Sequence, residues 1–226
     1  VYTAFSGSHQ DAIRKCLHRQ SDDEPWQVAY LPIDPRDLGR DYQAVIRVNS
    51  QSGKGGVAFV MERDYGLQLP RWLQVELSQI VQRESERNRG EINSERIHAL
   101  FKEYFTADAG PLTLAGYHLD RRENLDVIEA QISDAQTTRR IHGQGQGTIE
   151  AFVDAWAAAF GNRISIVDYS EHAIGEGTTA EAIAYVQVNI DGQRAAGAAF
   201  DRDTVSAAMR AVLAALNRAE AARAAA

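Results

Sequence analysis

The sequence is poor in cysteine: Cys16 is the only one among 226 residues. An intrachain disulfide is therefore excluded, and a chain without disulfides is typical of a reducing compartment, so we expect a cytoplasmic protein. The sequence also lacks an apolar run of about 20 residues, the length that a membrane-spanning helix needs. Nothing in it resembles a signal peptide. We therefore expect no membrane partner.

Basic residues are outnumbered, with 24 Lys and Arg against 31 Asp and Glu and a formal net charge of −7. A negative surface argues against nucleic acid as a partner. Hydrophobic residues make up 44% of the chain, which is enough for at least one ordinary core. The length favours one large domain or two small ones. The chain starts at Val1 without methionine, which we interpret as the start of a fragment or a processed piece.

Three glycines at alternate positions, Gly143, Gly145 and Gly147, precede a run of apolar residues with helical spacing. Glycine lets backbone N–H groups lie close to a ligand, and a helix N-terminus adds free donors and a partial positive charge. The pattern is neither GxGxxG nor a P-loop. Two interpretations stay open: a site for a small anion such as a carboxylate or phosphate, or a tight strand-to-helix turn without a ligand.

Two similar units, each with three strands and a helix, are predicted after a break at residues 107–111. The first unit has strands at 112–119, 125–133 and 137–143, followed by a helix at 148–160. The second has strands at 163–172, 180–190 and 193–200, followed by a helix at 203–218 and a frayed tail. Asp191 and Gly192 form a two-residue hairpin turn between the last two strands.

The first half of the chain is predicted to be helical, apart from one proline-rich segment. Helices are expected at 9–18 with Ser8 as the cap, at 56–63 after a glycine turn, at 70–84, and after Ser94. Three prolines exclude a regular element from the segment Pro25–Arg40. We expect that segment to be extended and held by Trp26 and Tyr30.

Three stretches of this half resemble a known family. GSHQDAI (Gly7–Ile13), WQVAYLPIDPRDLGR (Trp26–Arg40) and RVNSQSGKGGVAFVME (Arg47–Glu62) are similar to the carboxy-terminal half of the 2-isopropylmalate synthases, the first committed enzymes of leucine biosynthesis. The resemblance covers nearly the whole chain. It implies that the family's catalytic barrel, with its divalent metal (Mg or Mn) and acetyl-CoA site, lies upstream of Val1. This chain would then hold no cofactor and be inactive alone.

The resemblance also implies a domain organisation. Residues 1–41 are the end of the catalytic region and an extended linker, residues 42–106 a small helical linker subdomain, and residues 107–226 a leucine-binding allosteric regulatory domain. The fold class is α+β, with the helical linker subdomain followed by a regulatory domain of two βββα units.

Two residues of the linker match catalytic residues of the family. His9 matches the histidine that enters the active site of the neighbouring subunit, and Tyr30 matches a tyrosine assigned near the same chemistry. An imidazole can serve as a base or proton relay near neutral pH. A phenol can donate a hydrogen bond to a developing oxyanion. Neither residue acts without a barrel.

The resemblance further implies that leucine binds where the regulatory domains of a homodimer meet. The amides of the three glycines would hold its carboxylate. Its ammonium needs acceptors, which are backbone carbonyls first and then Asp168. Two interpretations of Asp168 stay open: an acceptor for the ammonium or an ordinary carboxylate at the end of a strand. The remaining implied contacts are Ile149, Ile166, Tyr169, Ala173, Ala180 and Ala182. Burial of the isobutyl group supplies about 1.5–3 kcal/mol, which does not separate leucine sharply from isoleucine. Two alternatives stay open: the regulatory part of a citramalate synthase, with isoleucine as effector, or a stand-alone amino-acid-sensing dimerisation module.

Overall fold

The computed structural model describes residues 7–21, 23–39, 53–88, 90–106, 110–134, 136–161, 163–175 and 177–224. The chain divides into two compact units, Val1–Phe101 and Lys102–Ala226. The described residues form six α-helices and two three-stranded antiparallel sheets, which confirms the predicted α+β class. The predicted three-domain division stays a prediction, and its first boundary lies outside the described residues.

The first unit is helical. It contains α1 (Gly7–Leu17), α2 (Gly53–Tyr65), α3 (Arg71–Asn88) and most of α4 (Ser94–Phe105), whose last residues belong to the second unit. Helix α2 packs against both α1 and α3. Each of the four predicted helices is present, but their ends differ from the prediction.

The starts of α1 and α2 differ because glycine is accepted inside the first turn of both helices. Helix α1 begins at Gly7, so Ser8 lies within it and is not the predicted cap. Helix α2 begins at Gly53, so the glycines at 53, 55 and 56 belong to the helix, and the predicted separate glycine turn is wrong. Residues 40–52, which include part of the third family motif, lie outside the described residues.

The junction between α3 and α4 also differs from the prediction. Helix α3 continues to Asn88, so most of the predicted charged connector at residues 85–90 is helical. The Glu84 carboxylate accepts hydrogen bonds from Arg96 Nε and Nη2 at 3.0 and 2.9 Å. Helix α4 is capped by Asn93, whose Oδ1 accepts from Arg96 N at 2.9 Å. The predicted start after Ser94 is therefore one residue late.

The segment after α1 is held against the helices mainly by aliphatic residues. Val28 and Leu31 are buried in a cluster with Ile13 and Phe59, and Trp26 Nε1 donates to the Leu31 carbonyl at 2.7 Å. Trp26 thus acts as the predicted anchor. The same prediction is wrong for Tyr30, which is 61% exposed.

One short regular element lies where three prolines led us to expect none. Residues Pro35–Leu38 form a 3-10 helix, with Asp34 Oδ1 accepting from Arg36 N at 2.9 Å. The fixed φ of Pro35 suits the first position of a helix, where its missing N–H costs nothing. A proline therefore starts this element instead of preventing it.

The second unit confirms the two predicted βββα units. The first consists of β1 (Thr113–Arg122), β2 (Leu125–Ser133), β3 (Thr138–Gly145) and α5 (Thr148–Phe160), and the second of β4 (Ile164–Ile174), β5 (Glu181–Ile190), β6 (Gln193–Asp201) and α6 (Thr204–Ala224). The predicted turn is confirmed by Asp191 and Gly192, with φ of 52° and 89°. The predicted frayed tail is wrong because the alanine-rich residues after 218 continue α6.

Each helix of the second unit covers its own sheet. Helix α5 packs against β3 and β2, and α6 against β6 and β5. One hydrophobic cluster joins the two βββα units of this second compact unit. It includes Ile128 and Phe152 from the first βββα unit and Val186 and Leu213 from the second. The apolar faces of both helices are therefore buried against sheets of the same chain.

Candidate functional site

Two of the three alternate glycines lie in a strand and not in a turn. Gly143 and Gly145 belong to β3, and only Gly147 follows it. A Cβ atom on Gly143 would lie 2.3 Å from Ala155 N, and one on Gly145 would lie 2.6 Å from Ala151 N. These glycines let β3 lie directly against α5. The predicted turn is wrong at both positions, while their place in a leucine site stays a prediction.

The amides of these two glycines face the neighbouring strand. Gln144 N, between them, donates to Asp154 Oδ2 at 3.0 Å. Because successive N–H groups of a strand point to opposite sides, the amides of Gly143 and Gly145 are directed at β2, the pairing partner of β3. Of the three glycines, only Gly147 therefore lies at the end of a helix, and the role of the glycine amides in holding a carboxylate stays a prediction.

The N-terminus of α5 carries no side-chain cap. Gly147 occupies the cap position with an extended backbone (φ −151°, ψ 165°) and without a side-chain hydrogen bond. A Cβ atom placed on it would meet nothing within 4 Å. Next to it, Gln146 N donates to Glu150 Oε2 at 2.7 Å, and Ile149 is half-buried. Asp126 Oδ2 accepts from Thr148 Oγ1 at 3.0 Å, so two carboxylates of the chain lie at this first turn, while the cap position itself holds no side chain.

Helices α5 and α6 start at different distances from the glycines that pack them against β3 and β6. A Cβ on Gly143 would lie 2.5 Å from the carbonyl oxygen of Ala151, and one on Gly197 in β6 would lie 2.2 Å from that of Ala211. Ala151 is the fourth residue of α5, whereas Ala211 is the eighth residue of α6. Measured from the equivalent packing glycines, α5 therefore begins about one turn later than α6.

The N-terminus of α6 already holds a carboxylate of the chain. Asp203 Oδ2 accepts from Ser206 N at 2.9 Å, from Ser206 Oγ at 2.7 Å and from Tyr117 Oη at 2.6 Å. Burial alone would raise the pKa of Asp203, but the hydrogen bonds from Tyr117 and Ser206 outweigh burial and lower it. Burial and the neighbouring Asp203 raise the pKa of Tyr117 to about 12. The two helix ends therefore differ in their capacity for an external anion.

Four of the predicted apolar contacts share one face of the second sheet. Ala173 of β4 is paired directly with Ala182 of β5. Ile166 and Tyr169 of β4 pack against the central hydrophobic cluster, to which Ala182 itself belongs. The bulge between Ile166 and Asp168 keeps Tyr169 on that face and turns Asp168 to the other. Asp168 is therefore not placed to accept from a ligand's ammonium on this face.

The hydroxyl of Tyr169 and the backbone N–H of Ala180 both have hydrogen-bond partners within the chain. Tyr169 Oη donates to Glu171 Oε2 at 2.6 Å, and burial together with Glu171 raises the pKa of Tyr169. The phenol therefore stays protonated at neutral pH. Ala180, directly before β5, is half-buried, and its N–H donates to the Gly177 carbonyl at 3.3 Å.

His9 and Tyr30, the predicted catalytic pair, lie together in the first unit. Their ring centroids are 4.3 Å apart with the planes tilted by 32°. Both side chains are exposed, and Tyr30 has a φ of 66°, in the left-handed region that side chains rarely adopt. The fold thus brings two distant positions into one exposed aromatic pair.

Other kinds of site are represented among the described residues by a single type of feature, a cavity in the second unit. Among these residues, no group of three or more His, Cys, Asp or Glu side chains is placed to hold a metal ion. No helix there has both the length and the hydropathy to cross a membrane. A cavity of about 430 Å³ is lined by Ala157, Arg163, Ile164, Ser165, Asn189, Asp191 and Gly192. None of these is a predicted site residue.

Two protein families match the chain. The family described as the LeuA allosteric (dimerisation) domain matches residues 91–220. The chain belongs to the LeuA allosteric (dimerisation) domain family. Residues 1–62, ahead of the LeuA domain, match the family described as Alpha-isopropylmalate synthase, post-catalytic domain-like.

The chain is similar over almost its whole length to proteins named 2-isopropylmalate synthase. That of Pseudomonas syringae pv. tomato is 46% identical over 219 residues, which are 96% of this chain and 39% of the relative. That of Azotobacter vinelandii is 47% identical over 221 residues, 97% of this chain and 39% of the relative. That of Alcanivorax borkumensis is 46% identical over 222 residues, which are 96% of this chain and 39% of the relative. The chain thus spans about two fifths of its relatives' length and corresponds to their C-terminal part.

Two features of this LeuA domain were not anticipated from the sequence. The bond between Tyr117 and Asp203 joins residues 86 positions apart, and Asn217 bonds the backbone of Leu112 over 105 positions. A local signal existed only for Asp203, since an aspartate before a helix is a common cap. Its partner could not be identified without the fold.

Proposed function

We propose that this chain is the C-terminal regulatory part of a 2-isopropylmalate synthase and that it binds L-leucine as a feedback effector. The synthase condenses acetyl-CoA with 3-methyl-2-oxobutanoate and water to give 2-isopropylmalate and CoA. The condensation belongs to the catalytic barrel, which carries the divalent metal (Mg or Mn). This chain alone is inactive and works as a homodimer in the cytoplasm. The names of its relatives and of its family support this proposal.

The observation that carries the effector proposal is the open N-terminus of α5. Gly147 leaves that helix end without a side-chain cap, whereas Asp203 fills the corresponding end of α6. A leucine carboxylate at Gly147 would accept from the first-turn amides of α5 and interact favourably with the helix dipole. In this proposal the ligand carboxylate takes the cap position that Gly147 leaves without a side chain, close to Asp126 and Glu150 of the same unit.

Residues of the chain also offer contacts for the ammonium and the isobutyl group of leucine. Glu150, in the first turn of α5, provides a carboxylate for the ammonium, a role that Asp168 cannot take from the opposite sheet face. Ile149 and the partly accessible residues Ile166, Tyr169 and Ala173, with Ala180 beside them, offer apolar surface for the isobutyl group. Ala182, 7% exposed, lies in the hydrophobic cluster against which Ile166 and Tyr169 pack. We propose that the two groups of residues meet across the homodimer, as the family description suggests.

The effector proposal is tested by isothermal titration calorimetry on the 226-residue chain, with leucine, isoleucine and alanine as ligands. Leucine is expected to bind roughly 10- to 150-fold more tightly than alanine, because burial of its side chain contributes about 1.5–3 kcal/mol. Circular dichroism establishes that the titrated protein is folded. A folded chain that gives no heat with leucine would refute the proposal, and tighter binding of isoleucine would favour a citramalate synthase.

We propose further that His9 and Tyr30 take part in catalysis once a barrel is present. The test joins the chain to the barrel of a relative and compares wild type with His9→Ala and Tyr30→Phe. Loss of condensation with unchanged leucine binding is expected for His9→Ala, because the exposed imidazole has no part in the effector site. If the wild-type fusion binds leucine but shows no activity, the alternative of a separate amino-acid-sensing module gains support.

A further inference from the structure

A buried asparagine of α6 holds the start of β1. Asn217 is 5% exposed. Its Oδ1 accepts from Leu112 N and its Nδ2 donates to the Leu112 carbonyl, both at 3.0 Å. The side-chain amide therefore takes the place of a neighbouring strand as the hydrogen-bond partner of the Leu112 backbone. Because Leu112 is buried as well, loss of either bond would leave a polar backbone group unsatisfied.

Further contacts hold Phe105 and Gly110 against the same part of α6. A Cβ on Gly110 would lie 2.3 Å from Asn217 Cγ, so the chain passes directly over that side chain. The guanidinium of Arg218 lies 4.4 Å from the ring centroid of Phe105, the last residue of α4. Helix α6 thus holds both the end of α4 and the start of β1.

The other end of α6 adjoins the proposed effector site. Ala182, a predicted leucine contact, is paired across the sheet with Asp201 of β6. Asp201 Oδ1 accepts from Asp203 N at 3.0 Å, and Asp203 caps α6. The cap also accepts from Tyr117 of β1. A continuous set of contacts therefore leads from Ala182 into α6, and from α6 to the end of α4.

We propose that Asn217 is a positioning residue that couples leucine binding to the last turn of α4. This inference rests on the proposed effector function. Its paired bonds to the N–H and the C=O of one residue, Leu112, define both the position and the direction of the chain there. A shift of α6 on leucine binding is therefore passed to residues 102–106 and 110–112. Such coupling is a free energy between two sites, and it requires a direct measurement rather than a contact path alone.

The test is amide hydrogen exchange of the full chain with and without saturating leucine. Asn217→Asp keeps the size of the side chain but places an oxygen against the Leu112 carbonyl. Arg218→Gln, a milder variant, removes the cation from Phe105. Gln27→Glu, an amide-to-carboxylate change at an exposed position of the first unit, is the matched control. Leucine affinity of each variant is measured by calorimetry.

In the wild type and Gln27→Glu, leucine is expected to slow exchange in residues 102–106 at least about fivefold, the lower end of typical coupling. In Asn217→Asp this change falls below about twofold while the leucine Kd stays within about threefold, and Arg218→Gln shows an intermediate loss. A wild-type response in Asn217→Asp, or an affinity loss above about tenfold, would overturn the coupling role. A folded wild type that binds no leucine would instead sink the proposed function itself.

Discussion

Replacement of Gly147 by aspartate tests the proposed carboxylate site most directly. The change gives α5 the cap that Asp203 provides at α6. Gly147 has an extended backbone that any residue adopts, and a Cβ there meets nothing within 4 Å. The new side chain therefore fits without strain, and its carboxylate reaches the first-turn amides of α5.

The expected effects of Gly147→Asp on stability and affinity have opposite signs. A cap that replaces glycine adds a few tenths of a kcal/mol, and a negative charge at the helix end adds about 0.3–1 kcal/mol. The carboxylate of a bound leucine and that of the new aspartate, about 4 Å apart, would repel each other by about 1 kcal/mol in water and by about 4 kcal/mol near a protein surface. We therefore expect a more stable protein whose leucine affinity is at least about fivefold weaker.

Thermal unfolding and leucine calorimetry, on the same samples, measure both effects. Gly147→Ala is the control, because it adds the Cβ without the carboxylate. It is expected to bind leucine like the wild type and to be slightly less stable, since alanine is a poor cap. Wild-type affinity in a stabilised Gly147→Asp protein would show that the leucine carboxylate binds elsewhere.

Two further predictions concern the packing of the second unit. Gly143→Ala is expected to lower the free energy of unfolding by about 1–3 kcal/mol in urea titrations, because its Cβ overlaps α5. Gly116→Ala, whose Cβ meets nothing within 4 Å, serves as its control, and equal effects would contradict the packing role. Tyr117→Phe is expected to cost about 1 kcal/mol at neutral pH through the lost bond to Asp203. Because the pKa of Tyr117 is raised from 10.0 to about 12, its contribution is full below pH 10 and lost as the pH rises towards 12. The difference between wild type and Tyr117→Phe should therefore shrink over that range in pH-dependent unfolding, and a constant difference would count against it.

Local patterns were sufficient for most elements of the second unit. The alternation in β5, the Asp191–Gly192 turn and the helical spacing that begins at Ile149 each depend on neighbours within a few residues. Helix α5 has the predicted bounds because glycines flank it at both ends, Gly147 as the cap and Gly161 with a φ of 76°. In the first unit, the bounds of α1 to α4 were less well predicted, since helix propensity changes little across their ends.

The roles of individual residues followed the sequence less closely. Tyr30 resembled a packing anchor, yet it is exposed and lies against His9. Gly143 and Gly145 resembled a ligand-binding turn, yet they permit a strand to contact a helix. Glycine has the same local signature in both uses, because the absence of a Cβ serves backbone freedom and close approach equally.

By itself, the sequence determined the type and order of the elements in the second unit, the likeness to a regulatory domain and the exclusion of a disulfide. These depend on composition and short periodicities. Only the tertiary structure decided which helix end stays open, which amides face β2, and that Asn217 holds Leu112. The physical reason is that these properties arise from contacts between residues up to 105 positions apart, and no local periodicity encodes the partner in such a contact.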